Sequence, residues 1–163
     1  MATIIKKIGY GQVEPNHLSA QRTGQIYAQL PAAKEITVLE NGQYVKYDYK
    51  ANKVDFTGEG EWMMVFNEVK LYDGWRESYK DFAMKKSNYS DGVMVPRVIK
   101  TNIGDIYTTN CIVEEEVEVG DKLSPRSTDG MLCKDGDGSI SFQIVKIYTL
   151  ADGQAAVKLM RVK

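Results

Sequence analysis

Histidine is almost missing from this chain and cysteine is scarce. Among 163 residues there is one histidine, His17, and two cysteines, Cys111 and Cys133. Proton transfer near neutral pH, soft-metal ligation and thiol chemistry usually draw on these side chains. The sequence therefore offers few starting points for any of them. It also lacks an apolar run approaching the ~20 residues of a membrane span. The opening Met1 to Tyr10 carries Lys6 and Lys7 and no continuous apolar stretch, unlike a secretory signal. With no export signal, Cys111 and Cys133 are expected as buried free thiols in a reducing cytoplasm.

A net excess of either charge is lacking too. The formal net charge is −1, so no global field draws nucleic acid. Residues 1–35 hold Lys6, Lys7, Arg22 and Lys34 against Glu14 and Glu35, an excess of +2, and the remainder carries −3. No glycine-rich phosphate loop is present. Gly9-Tyr10-Gly11 lacks the third glycine, the preceding strand and the following helix that such a loop needs.

What is present is strand-forming sequence punctuated by Asp, Asn and Gly. The hydrophobic fraction is 43%, which suits a folded domain with a real core. Residues 1–35 read as an extended N-terminal arm. Glycines and Pro15 interrupt Gly9 to His17, and Gly24 to Pro31 alternates apolar and polar side chains like a short edge strand. From Ile36 to Lys163 the pattern is a β-rich domain. Ile36-Thr37-Val38-Leu39 and Tyr44-Val45-Lys46-Tyr47-Asp48-Tyr49 flank a turn at Asn41-Gly42. Trp62-Met63-Met64-Val65-Phe66 is continuously apolar, as in a strand covered on both faces. One helix is expected at about residues 75–86, from the spacing of Trp75, Tyr79, Phe82 and Met84. The last third is strand and turn, with turns at Gly120-Asp121, Asp129-Gly130, Asp135 to Gly138 and Asp152-Gly153.

An internal echo runs through the chain. Gly42-Gln43-Tyr44-Val45 and Val69-Lys70-Leu71-Tyr72 are similar to Gly120-Asp121-Lys122-Leu123 and Val145-Lys146-Ile147-Tyr148, at offsets of 78 and 76 residues. A duplicated β unit would leave this trace. The recurring turn-and-strand pattern of any small antiparallel barrel would also leave it, and is the simpler expectation.

Several motifs invite chemistry. Cys133 to Ile140 resembles the middle of a calcium loop, with Asp135 and Asp137 at alternate positions. The loop's first ligand position is Cys133 and its last is Ile144, where calcium needs carboxylates. A hairpin turn explains the same residues. His17 has only Glu14 nearby, which suits a solvated side chain better than a general base. Cys111 has no adjacent cation to lower its pKa. Glu114, Glu116 and Glu118 would share one strand face, the pattern of a solvated or edge-protecting face more than of a metal site. The ten tyrosines suit interfaces and half-buried strands. Without a basic groove they do not imply base stacking.

The polar leader, the stretch Ile36 to Asp48, and the closing strings Val119 to Leu123, Asp129 to Leu132 and Ile144 to Val162 together resemble auxiliary head proteins of tailed bacteriophages: decoration, cement or head-fibre base proteins. The resemblance implies a small antiparallel β-barrel or β-tadpole-like domain with an extended N-terminal arm. It implies a non-enzymatic virion structural protein, made in the host cytoplasm, that binds the major capsid protein lattice as a homo-oligomer, a trimer being one form. It requires no cofactor, metal, nucleic acid or membrane. Its assembly contacts would sit on the arm, at Tyr10, Val13, Arg22, Ile26, Tyr27 and Leu30. Other readings are a tail-tube or connector subunit, a β-barrel carbohydrate or ligand module using Trp62 and Trp75 as a platform, and an enzyme of unrecognised type.

Overall fold

The computed structural model describes residues 1–20, 26–67 and 82–163. Its strands are β1 (Thr3–Ile4), β2 (Val13–His17), β3 (Ile26–Tyr27), β4 (Val38–Leu39), β5 (Tyr44–Asp48), β6 (Lys53–Asp55), β7 (Trp62–Val65), β8 (Met84–Lys85), β9 (Val98–Ile99), β10 (Ile106–Thr109), β11 (Glu116–Val117), β12 (Lys122–Pro125), β13 (Leu132–Cys133), β14 (Phe142–Thr149) and β15 (Ala155–Arg161). A five-stranded sheet runs β3-β9-β7-β5-β6 and a six-stranded sheet runs β13-β12-β14-β15-β10-β2, with two small pairs, β1-β11 and β4-β8. Pairing within the two large sheets is antiparallel. The chain is mainly β, as its sequence predicts, and neither sheet closes on itself among the described residues.

The apolar run at β7 sets the layering. Successive strand side chains point to opposite faces, and all four residues of β7 are buried. Trp62 and Met64 face a core shared with the six-stranded sheet, among Tyr44, Ile99, Tyr107, Leu123, Phe142, Ile144 and Leu159. Met63 and Val65 face a second core with Val45, Tyr47, Val54 and Val98. Residues 30–39 and Met94 close that second core over the outer face of the five-stranded sheet. The five-stranded sheet is thus covered on both sides. Each large apolar side chain so enclosed contributes about 1.5–3 kcal/mol relative to exposure.

The two large sheets repeat one design. The order β3-β9-β7-β5-β6 matches β10-β15-β14-β12-β13 strand for strand. The hairpin pairs Lys46↔Asp55 and Tyr47↔Val54 recur 78 residues later as Ser124↔Cys133 and Pro125↔Leu132. Positive φ recurs with them: Gly42 at 95° and Gly120 at 101°, Asn52 at 55° and Gly130 at 71°. The parallel bridge Ala32↔Val54 has its counterpart in Ile112↔Leu132. This agreement in order, register and turn geometry corrects the simpler expectation for the internal echo, because a generic barrel pattern does not preserve all three. Val69 to Tyr72, part of that echo, lie outside the described residues.

The repeat also shows how the halves stack. Val45, Val54, Met63, Val65 and Val98 face the second core, and their counterparts Leu123, Leu132, Phe142, Ile144 and Leu159 face the shared core. The second sheet therefore lays its inner face on the back of the first.

Three expectations change. The described residues of the stretch 1–35 carry three short strands, and these are built into the sheets instead of forming an arm separate from a body beginning at residue 36. β1 pairs with β11, β2 with β10 and β3 with β9, while Ile5, Leu18 and Ala20 sit in the shared core. Open strand edges far along the chain supply partners that local pattern does not reveal. The expected helix at 75–86 lies mostly outside the described residues, and its described end, 82–86, holds no α-helix. Met84–Lys85 is a strand paired to Val38–Leu39, and a short 3-10 turn follows at Lys86–Asn88. The backbone groups of β4 need a partner more than this segment needs its helical period. Finally, β4 and β5 flank the Asn41-Gly42 turn without pairing to each other, since β5 lies between β6 and β7.

Candidate interaction surface

The residues expected to make assembly contacts face mainly inward. Leu30 is buried in the second core, and Tyr27 packs against that core with its ring edge-on to Tyr47 at 5.8 Å. Val13 and Ile26 pack against the shared core. Tyr10 is half-buried with the Lys85 ammonium 4.7 Å from its ring centroid. Arg22 lies outside the described residues. The structure thus gathers these side chains against their own body.

A polar latch holds the leader there. Lys7 pairs with Glu40, whose Oε2 also accepts the Gly11 N–H at 2.6 Å. The Gln154 amide forms a strand-like pair with Ile8, accepting its N–H at 2.8 Å and donating to its carbonyl at 3.2 Å. Asn110 accepts the Gln12 N–H at 2.8 Å and donates to Gln154 at 3.1 Å. Gly11 fits because a side chain there would strike the Asn41 carbonyl and Cys111. Burial pushes the Cys111 thiol up to about 12 despite Lys7 nearby, and burial raises Cys133 too, helped by Glu115. Both cysteines are free and buried, and thiols so protonated are poor nucleophiles.

Three further contacts brace the two sheets. The Tyr44 and Tyr107 hydroxyls meet at 2.8 Å in the shared core. Burial drives both phenols upward, so they stay neutral. Arg161 donates to the Thr101 carbonyl and, at 3.3 Å, to Glu61, which also pairs with Lys100 at 2.6 Å. Trp62 Nε1 donates to Asp137 at 2.5 Å. The calcium-like loop therefore uses Asp137 to reach across to the first sheet and to accept Ser139 N–H and O–H at 2.9 and 2.8 Å. Burial opposes ionisation of Asp137, but these donors and Lys46 outweigh it and hold its pKa below the usual range. Among the described residues no three His, Cys, Asp or Glu side chains gather as a metal site would need.

The acidic stretch divides. Glu114 pairs with Lys6 at 3.7 Å and Glu115 accepts the Lys134 N–H at 2.9 Å. Glu116 and Glu118 are exposed. His17 is exposed at the end of β2, opposite Ile106.

No family model, curated protein or solved structure matches this chain.

One face escaped the sequence reading. The outer side of the six-stranded sheet carries a row formed by Lys122, Gln143, Met160, Ile106 and His17. Beside it Lys146 stands opposite Lys158, and both ammonium groups lie over Tyr148, at 5.8 and 5.3 Å from its centroid. A β-bulge next to Ile144 leaves both Val145 and Lys146 exposed. The alternating string Lys146-Ile147-Tyr148 carried half of this signal; the pairing to Lys158 did not exist until β14 and β15 met.

Proposed function

We propose that this protein is a non-enzymatic virion subunit that decorates or stabilises a tailed-phage capsid by seating on the major capsid protein lattice. On this reading it is made in the host cytoplasm and acts as one of many identical copies. A barrel- or tadpole-like arrangement of the β-rich domain belongs to the same proposal. The observation that supports it is the bracing between sheets. Tyr44–Tyr107, Arg161–Glu61 and Trp62–Asp137 join segments 63 to 100 residues apart. Polar and ionisable side chains are spent on making one stiff body, which suits a protein that shares mechanical load. Many copies on a lattice turn modest single contacts into durable attachment.

The leader is clasped to its own body, so the contact with the shell belongs on outward faces of the folded protein. A carbohydrate platform loses its central aromatic, because Trp62 is buried with its N–H committed to Asp137. The test is to mix the purified protein with capsids lacking it and image them by cryo-electron microscopy. Density repeating with the capsid lattice, in fixed ratio to the major capsid protein, is the expected result. Failure to co-sediment, or density confined to the tail, would overturn the proposal.

A further inference from the structure

We infer that the outer face of the six-stranded sheet binds a second copy of this chain, through that copy's exposed acidic ridge at Glu116 and Glu118. The internal repeat identifies this face as one that the fold uses for stacking. On the first sheet the row Ile26, Ile99, Met64 and Tyr44 occupies the equivalent position, and all four side chains pack in the shared core under the second sheet. On the second sheet the corresponding row is Ile106, Met160, Gln143 and Lys122; the first three are half-buried and Lys122 is exposed, where Ile99, Met64 and Tyr44 on the first sheet are fully buried.

Charge selects the occupant. Lys146 and Lys158 are held directly opposite each other, an arrangement that destabilises a strand pair. The described residues give Lys122, Lys146 and Lys158 no ion pair. The row of Lys146 and Lys158 runs on through Thr108 to Glu14 at the β2 edge, so lysines outnumber carboxylates three to one on the two rows and a face-to-face pair is disfavoured. The same chain carries the complement. Glu116 and Glu118 are exposed and without an ion pair among the described residues, and Val119 beside them is 61% exposed. Carboxylates meeting the lysines, and Val119 meeting Ile106 and Met160, would satisfy both halves of the face. Like any contact between exposed charges, it weakens with salt. It is measured in free solution, so its failure and a failure to bind capsids are separate results.

The experiment is sedimentation velocity on the full chain over a range of concentrations, at low and high salt. The wild type is expected to gain mass with concentration at low salt and to return to one copy at high salt. The face variant Lys122→Glu/Lys146→Glu/Lys158→Glu and the ridge variant Glu116→Lys/Glu118→Lys should each associate at least about tenfold more weakly. Mixing the two variants restores opposite charges across the contact and should restore the larger species. Circular dichroism checks their folding. If the face variant does not fold, the ridge variant against wild type carries the test. A wild type that stays single at low salt, a folded variant that associates as wild type does, or a folded mixture that stays single would each overturn the inference.

Discussion

The hydroxyl pair of Tyr44 and Tyr107 couples the sheets at a point with no access to water, since both residues are fully buried. Each oxygen has the other as its partner at 2.8 Å. Removing one hydroxyl strands the other, and an unsatisfied buried polar group costs about 1–3 kcal/mol. Tyr44→Phe and Tyr107→Phe should each lower the unfolding free energy by that order, read as a lower urea midpoint at unchanged slope. The double variant should cost less than the sum, because two apolar rings of matching shape leave nothing unpaired. Equilibrium unfolding of the four proteins measures the coupling; simple additivity would show that the hydroxyls do not act as a pair.

At the level of elements, the leader is the part with most to reveal. β2 occupies the edge beside β10, and Ile5 and Leu18 fill the shared core. A chain lacking residues 1–17 should lose its cooperative thermal transition and expose the β10 edge to aggregation. Cooperative unfolding of the truncated chain near the wild-type midpoint would show the leader to be dispensable. The sequence made some elements plain. Trp62 to Val65 declared a strand buried on both faces because four consecutive apolar residues fit nothing else so short. Gly42 and Gly120 marked turns because their backbones need positive φ. Glycines and Pro15 at close intervals over Gly9 to His17 predict an arm with no long strand; what makes Val13–His17 a strand is β10, far along the chain. Met84–Lys85 followed helical spacing and became a strand for the same reason, the open backbone of β4. The basic face stayed hidden because Lys122, Lys146 and Lys158 meet only through pairing. Local pattern encodes period and punctuation, and non-local pairing decides faces.

For the molecule as a whole, the repeated sheets explain how so many short strands make a stable body. Each half borrows a cover: the first from residues 30–39 and from the second sheet, the second from the back of the first. Ionic bracing then sets the response to acid. Asp137 is opposed by burial but held low by Trp62, Ser139 and Lys46. Asp129 is likewise opposed by burial and held low by Arg126 and the Met131 N–H. A carboxylate whose folded pKa lies below its unfolded value contributes stability that is complete at neutral pH and is lost as pH falls through the folded value. The urea midpoint should therefore be flat near neutrality and fall as pH drops from about 4 toward 2. Asp137→Asn should shallow that decline. An unchanged acid limb in the variant would show that the Trp62–Asp137 bridge does not contribute to it.

The clasp between Ile8 and Gln154 joins groups 146 residues apart in sequence. A ribosome making this chain releases the first strands long before β10 and β15 exist to receive them. Those strands must wait, solvated and unpaired, while the intervening strands emerge, so the native topology can close only after β15 has left the ribosome. Folding dominated by such distant pairings is slow, and the interval during which the opening segment is unclaimed is the time when a chaperone or another nascent chain has its best chance to capture it.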